Sequence, residues 1–305
     1  MKNTIINCPR CKSSEVVKRG YFQTEAHGKQ QRYFCKSCNK KFIEQTPFYR
    51  MRNNEKKITL CIDLFYRGVS TRKVQEHLNA FYPHNSDHSN IYRWIVKYSK
   101  MVSEFTNRLK LNVGSEAQTD EVEFHRRKSH KSKLGTEKNF FIDSIDPTTK
   151  FMISSEYMKD RSSKNVKAVM SRIKERTESQ IKFMTTDGLR AYPRVIKKVF
   201  GYDNTQGKFN VIHHRNIAIK DEGFNYPIER LHNNIRARTK TFRGFHGSIN
   251  SANAIMKGWE IYYNFITKHQ TINCCPFELA IPKLKDKLNV NNKWLALINM
   301  ATQNN

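Results

Sequence analysis

Four cysteines stand in two pairs, Cys8-Pro9-Arg10-Cys11 and Cys35-Lys36-Ser37-Cys38, with 23 residues between the pairs. Two-residue spacers let both sulfurs of a pair reach one tetrahedral ion, so the array predicts a single structural Zn2+ and a zinc ribbon over residues 1–50. The long spacing between pairs fits an extended hairpin between the two knuckles. A redox pair normally accompanies a βαβ pattern, and these pairs sit instead among Lys, Arg and Gln. Cys61, Cys274 and Cys275 lack such pairing; Cys61 is expected in the interior and none of the three as a ligand.

A second chemistry is suggested by three acids. Asp120 lies in Thr119-Asp120-Glu121-Val122-Glu123-Phe124, Asp187 in Thr185-Thr186-Asp187-Gly188, and Glu229 in Tyr226-Pro227-Ile228-Glu229-Arg230-Leu231-His232. Each has an ordinary explanation: a solvated strand residue, a turn former before glycine, a favourable charge at a helix start. Their order, a strand acid, a strand-end acid and a helix acid, is what joins them. Phosphoryl transfer on DNA commonly uses two divalent cations about 4 Å apart, and oxygen ligands suit Mg2+ (or Mn2+). On the helix, Ile228, Leu231 and Ile235 should pack inward, leaving Glu229, His232 and Arg236 on a neighbouring stripe that can face the other two acids.

The elements that must position these groups fall into four stretches. After the ribbon, Ile58, Cys61, Ile62 and Phe65 recur at helical spacing up to Gly68; a second helix starts near Ser70 or Thr71, and Ile91, Trp94, Ile95 and Tyr98 mark a third. Residues 51–110 therefore read as a small all-α helix-turn-helix domain. Residues 111–270 alternate strands and helices. A strand is expected around Gln118 to Phe124, and a hairpin of Asn139–Ile145 with Phe151–Tyr157 turned at Asp146-Pro147. A helix follows with Val166, Val169, Met170 and Ile173 inward, then a strand at Ile181–Thr186. A helix facing Ala191, Val195 and Val199 inward precedes a strand at Phe209–Ile212, and a helical region begins near Pro227. Trp259, Tyr262, Tyr263 and Phe265 read as core, and residues 271–305 as a C-terminal tail. The fold class is α/β with a mixed-sheet core, preceded by the ribbon and the helical domain.

The chain of 305 residues carries 55 Lys and Arg against 27 Asp and Glu, a formal net charge of +28. Such a charge repels itself unless a polyanion offsets it, so double-stranded DNA is the expected partner. Residues placed to meet it are Arg72, Lys73, Asn90, Tyr92, Arg93 and Lys97 in the helix-turn-helix, where Arg reads guanine and Asn reads adenine. Around the last acid stand Arg230, Arg236, Arg238, Lys240 and Arg243, and a further run extends from Arg126 to Lys133; a solvated basic face explains each run equally well. No stretch reaches the ~20 apolar residues of a membrane span, and the first residues carry no signal-peptide pattern. A reducing, cytoplasmic and nucleoid-associated setting is expected, in which cysteines bind metal or are buried.

Taken together, these pieces resemble the DDE transposases of bacterial and archaeal insertion sequences. The likeness is carried by the ribbon, Gly68-Val69-Ser70 with Ile91-Tyr92-Arg93-Trp94, Thr119-Asp120-Glu121, Thr186-Asp187-Gly188 with Ala191-Tyr192-Pro193, and Glu229-Arg230-Leu231-His232 with Arg243-Gly244-Phe245. It implies a ribonuclease-H-like catalytic core, Asp120, Asp187 and Glu229 as the ligands of two Mg2+ ions, cleavage at transposon ends, transfer of the freed 3′ hydroxyl to target DNA, and a homodimer or higher oligomer. The 41 residues between Asp187 and Glu229 exceed the family's usual spacing, which leaves Glu222 as an alternative third acid. Two rival functions share these features: a non-catalytic DNA-binding regulator descended from such an enzyme, and a structure-selective nuclease.

Overall fold

The computed structural model describes residues 6–81, 86–127, 135–216, 226–240 and 245–303. They divide into two compact units, residues 1–60 and 61–305. In the first, β1 (Val16–Thr24), β2 (Gly28–Cys35) and β3 (Lys41–Ile43) form an antiparallel sheet in that order. Of the residues in these strands only Cys35 is buried. So open a sheet cannot draw its stability from apolar burial.

The division falls inside α1 (Glu55–Tyr66), whose Ile58, Cys61, Ile62 and Phe65 are buried as their spacing predicts. Gly68, at φ +113°, takes the conformation that lets the chain leave the helix. There follow α2 (Thr71–Phe81) and α3 (His88–Thr106), the latter capped by Asp87, whose carboxylate accepts from the Ser89 amide.

The second unit is built on a mixed sheet of β4 (Glu116–Arg127), β5 (Thr136–Ile145), β6 (Met152–Met158), β7 (Phe183–Thr186) and β10 (Ile212–Arg215), in the order β10-β7-β4-β5-β6. β4, β5 and β6 are an antiparallel meander, whereas β7 runs parallel to β4 and β10 parallel to β7. The β5–β6 turn is closed by Asp146, which accepts from the amides of Thr148 and Thr149, the Asp-Pro turn foreseen above. α4 (Ser163–Arg176) and α5 (Ala191–Phe200) pack on each other, and the short hairpin β8 (Tyr202–Asp203) with β9 (Lys208–Phe209) follows α5.

α6 (Tyr226–Thr239) leads to β11 (Phe245–His246), which pairs with β4, and to α7 (Ile249–Ile261), prolonged by one wider π turn at Tyr262–Ile266. α7 crosses α3 so closely that a Cβ on Gly258 would overlap the hydroxyls of Tyr66 and Ser99. Trp259, Tyr263 and Phe265 are buried, as expected of core residues. Beneath them Arg176, wholly buried, donates to the Thr106 carbonyl at 3.1 Å and faces Glu260 at 3.6 Å, tying α3, α4 and α7 together.

Three expectations need correction. α5 turns Tyr192, Val195, Ile196 and Phe200 inward rather than Ala191, Val195 and Val199; a one-residue rotation buries two rings in place of an alanine and a valine, which removes far more apolar area from water. The strand expected at Phe209–Ile212 is divided between β9 and β10, and the part in the main sheet is the polar Ile212-His213-His214-Arg215. Within the stretch 271–305 expected as a C-terminal tail, residues 271–303 fold: α8 (Pro276–Ala280) and α9 (Lys293–Gln303) bury Phe277, Trp294, Leu297 and Ile298, and α9 packs on α3.

Candidate metal and acidic centres

The first unit gathers its four cysteine sulfurs within 4.8 Å of one another. Cys8 Sγ lies 3.5 Å from Cys38 Sγ and Cys11 Sγ 3.5 Å from Cys35 Sγ, and all four are free thiols. A tetrahedron with Zn–S arms of ~2.3 Å has edges of about 3.8 Å, so the donor set fits zinc. Burial raises the Cys8 thiol, but the amides of Cys11 and Arg10 outweigh it and bring it down to about 6, while burial beside the other sulfurs pushes Cys38 up to about 12. Four sulfurs this close cannot all ionise without a cation among them.

In the second unit, the parallel register pairs Thr119 of β4 with Thr186 of β7. One step further along both strands stand Asp120 and Asp187. The sheet therefore delivers two acids that are 67 positions apart to one place, and Glu121 joins them: the three carboxylates each offer an oxygen within 4.8 Å of the others. Such a group can hold a divalent cation of the Mg2+ type. The three acids differ in what already engages them. Glu121 accepts from the Tyr192 hydroxyl at 2.9 Å and from Arg161 at 2.6 Å, one bond to each oxygen. Asp187 accepts from the Leu189 amide at 3.0 Å, and Asp120 from the Glu121 amide at 2.8 Å.

Burial is the main reason the Asp120 carboxyl is pushed up to about 7; His232 opposes the rise, and Asp187 and Glu121 add to it. Glu121 is raised as well, chiefly by burial. Asp120 and Glu121 thus resist carrying their charges together unless a cation joins them.

α6 brings His232 onto this spot. The ring, 2 % exposed, places Nδ1 3.4 Å from Asp120 Oδ2 and Nε2 2.8 Å from Asp143 Oδ1. Asp143 lies opposite Asp120 on β5 and is wholly buried. Burial works against the charged ring, but Asp143, and after it Asp120, outweigh that cost and raise the His232 pKa. Burial raises Asp143 too. The imidazolium so favoured bridges two carboxylates on adjacent strands.

Of the acids singled out from sequence, the structure brings Asp120 and Asp187 together. Glu229 is exposed in the first turn of α6, three residues before His232, and is outside the carboxylate group. Glu222 lies outside the described residues, as do Arg243 and most of the run from Arg126 to Lys133. Arg126 itself is engaged with Glu137 and Asn139. Arg72, Lys73, Asn90, Arg93 and Lys97 are exposed, Tyr92 is half-buried, and Arg93 donates to Asn90 at 2.7 Å. Arg230, Arg236 and Lys240 are exposed, whereas Arg238 donates to the Tyr66 carbonyl and covers the Phe65 ring, so it turns inward instead of offering itself to phosphate. The sequence reading passed over Glu121 and Asp143. The signal for Asp143 was present: a lone acid in the otherwise apolar run Phe140-Phe141-Ile142-Asp143 is costly to bury without a partner.

Residues 46–221 match the family described as Transposase, Mutator family. This is more than half of the chain, and the chain belongs to that family. The match contains Asp120, Glu121 and Asp187 and excludes the four ribbon cysteines and Glu229. No curated protein matches the chain. A transposase cuts and transfers DNA, so DNA is its partner. No helix among the described residues is long and apolar enough to cross a membrane.

Proposed function

We propose that this transposase is of the DDE type and works through a ribonuclease-H-like core, cutting at transposon ends and passing the 3′ hydroxyl to target DNA. The observation that carries the reading is the convergence of Asp120, inside β4, and Asp187, directly after the parallel strand β7, with α6 covering Asp120. The sheet order supports it: a three-stranded antiparallel meander is extended on its first strand by two parallel strands.

In this reading Asp120 and Asp187 hold two Mg2+ ions, with Glu229 as the third ligand; its place one turn before His232 supports an approach from α6. When bound, such ions supply charge stabilisation for the attacking and leaving oxygens of phosphoryl transfer. His232 orients Asp120 through Nδ1, and Asp143 fixes the ring through Nε2. Tyr192 and Arg161 hold Glu121 in the same manner. Zn2+ on Cys8, Cys11, Cys35 and Cys38 shapes the ribbon. The exposed Arg72, Lys73, Asn90, Arg93 and Lys97 present the helix-turn-helix face to duplex DNA, which they meet together with Arg230, Arg236 and Lys240. Joining two element ends calls for at least two copies of the chain.

The test is Asp187→Asn, assayed for Mg2+-dependent nicking of duplexes carrying the element's own terminal repeats. Loss of one ligand of a site that stabilises the transition state by several kcal/mol should slow cleavage about 10³-fold, with duplex affinity retained. Undiminished cleavage would overturn the reading.

A further inference from the structure

A hollow of about 1330 Å³ opens between α5, the β8–β9 hairpin and β10. The register of β10 on β7, with Ile212 beside Phe183, sets it at the start of those strands, the end away from Asp187. Ile196, Phe200 and Val211 are buried along its floor. Its rim carries Tyr202 and Phe209, paired across the hairpin, packed edge to face at 5.0 Å and each 44 % exposed.

Four cationic side chains line the same hollow, Lys182, Arg194, Lys197 and Lys208, and Lys197 Nζ stands 5.3 Å from the Phe209 ring centroid. The one acid in the lining is Asp203. One oxygen of its carboxylate accepts from Thr205 and from the Gln206 amide and so closes the hairpin turn.

Lysines and arginines alone would suit any DNA surface, because phosphates are what a duplex offers. Water-exposed rings among them suit something further, since within a duplex neighbouring pairs cover each base face, whereas an unpaired base leaves its face open to a ring. A groove that combines both kinds of group matches an unpaired polynucleotide, whose phosphates answer the four cations and whose bases answer the two rings. We propose that this hollow binds an unpaired stretch of DNA, stacking bases on Tyr202 and Phe209 and holding the backbone with Lys182, Arg194, Lys197 and Lys208.

The experiment uses the full chain, zinc-loaded and without Mg2+ so that nothing is cut, and is therefore independent of the acidic centre. Fluorescence anisotropy at fixed salt measures its affinity for a labelled oligothymidylate of about 12 nucleotides and for a blunt duplex of equal length. Tyr202→Ala with Phe209→Ala should weaken the oligothymidylate about tenfold or more and the duplex by less than about twofold. Tyr202→Phe with Phe209→Tyr, which keeps both ring faces, should restore single-strand binding. Lys197→Gln should flatten the salt dependence on the single strand by about 0.7 in the log–log slope. An unchanged single-strand affinity, or equal losses on both DNAs, would overturn the proposal. So would a change in sedimentation of the alanine variant, which would make the rings a contact between copies of the chain.

Discussion

The ribbon and the acidic centre both gather like charges, and they solve the resulting problem in opposite ways. In the ribbon the strands around the cysteines bury no residue but Cys35, so little but a metal on the sulfurs can hold the shape. In the second unit a large apolar core, with Phe141, Ile142, Phe151 and Trp294 all within 2 % of full burial, holds Asp120, Glu121 and Asp187 together against their repulsion. An ion on the four sulfurs would stabilise the first site. The second is imposed on the acids by the core around them.

Chelation should break the comparison most sharply if it is wrong. Removing zinc withdraws ~10 to 16 kcal/mol of folding free energy from a site of this kind. Hydrogen exchange should then show loss of amide protection over residues 16–43 with protection in β4–β7 retained. Equal loss in both regions would show that the second unit also leans on the ribbon's metal.

Acidity should separate the two regions next. Without divalent ions, folding leaves Asp120 with a pKa of about 7 in place of an ordinary 3.8. The native state then holds a proton that the unfolded chain has released, so stability falls as pH rises from about 4 to about 7. At ~1.36 kcal/mol per unit the change is on the order of a few kcal/mol. The raised pKa of His232 has the same sign and extends the loss above its ordinary 6.5. Added Mg2+ favours the carboxylate form, so the gain in Tm that it gives should grow between about pH 5 and pH 8. A gain independent of pH would contradict burial as the cause. The ribbon should respond in the reverse sense without Mg2+, losing zinc and stability as acid protonates its thiolates.

The smallest of these effects tests the core alone. Gly258→Ala forces a methyl group against Tyr66 and Ser99, and overpacking of this kind costs about 1 to 3 kcal/mol. Denaturant melts should show the second unit weakened while the zinc content stays the same; an unchanged midpoint would mean that α7 can shift away from α3.

The ribbon was legible in the sequence because its ligands are set by spacing along the chain. Asp120 and Asp187 were legible because one lies within a β-rich run and the other directly after one, and such runs are local features. What completes the centre is not local. Both Glu229 and His232 share one stripe of α6, so which of them meets Asp120 depends on which turn of the helix lies over β4, and only the packing of Ile228, Leu231 and Ile235 decides that. The apolar run around Asp143 announces that this acid needs a partner, but which partner it meets depends on how β4 and β5 align. The stretch from residue 271, expected as a tail, holds α9 in place only through a partner distant in sequence, because α9 packs on α3.

The bridge from Asp143 through His232 to Asp120 has a consequence for assembly. The two acids share a face only because they are direct partners across β4 and β5. Sliding either strand by one residue would carry one of them to the opposite face of the sheet, and the imidazole would reach one carboxylate instead of two. Correct alignment is thus rewarded at the bridging atoms themselves, so a misaligned sheet is penalised at the very centre that the alignment assembles.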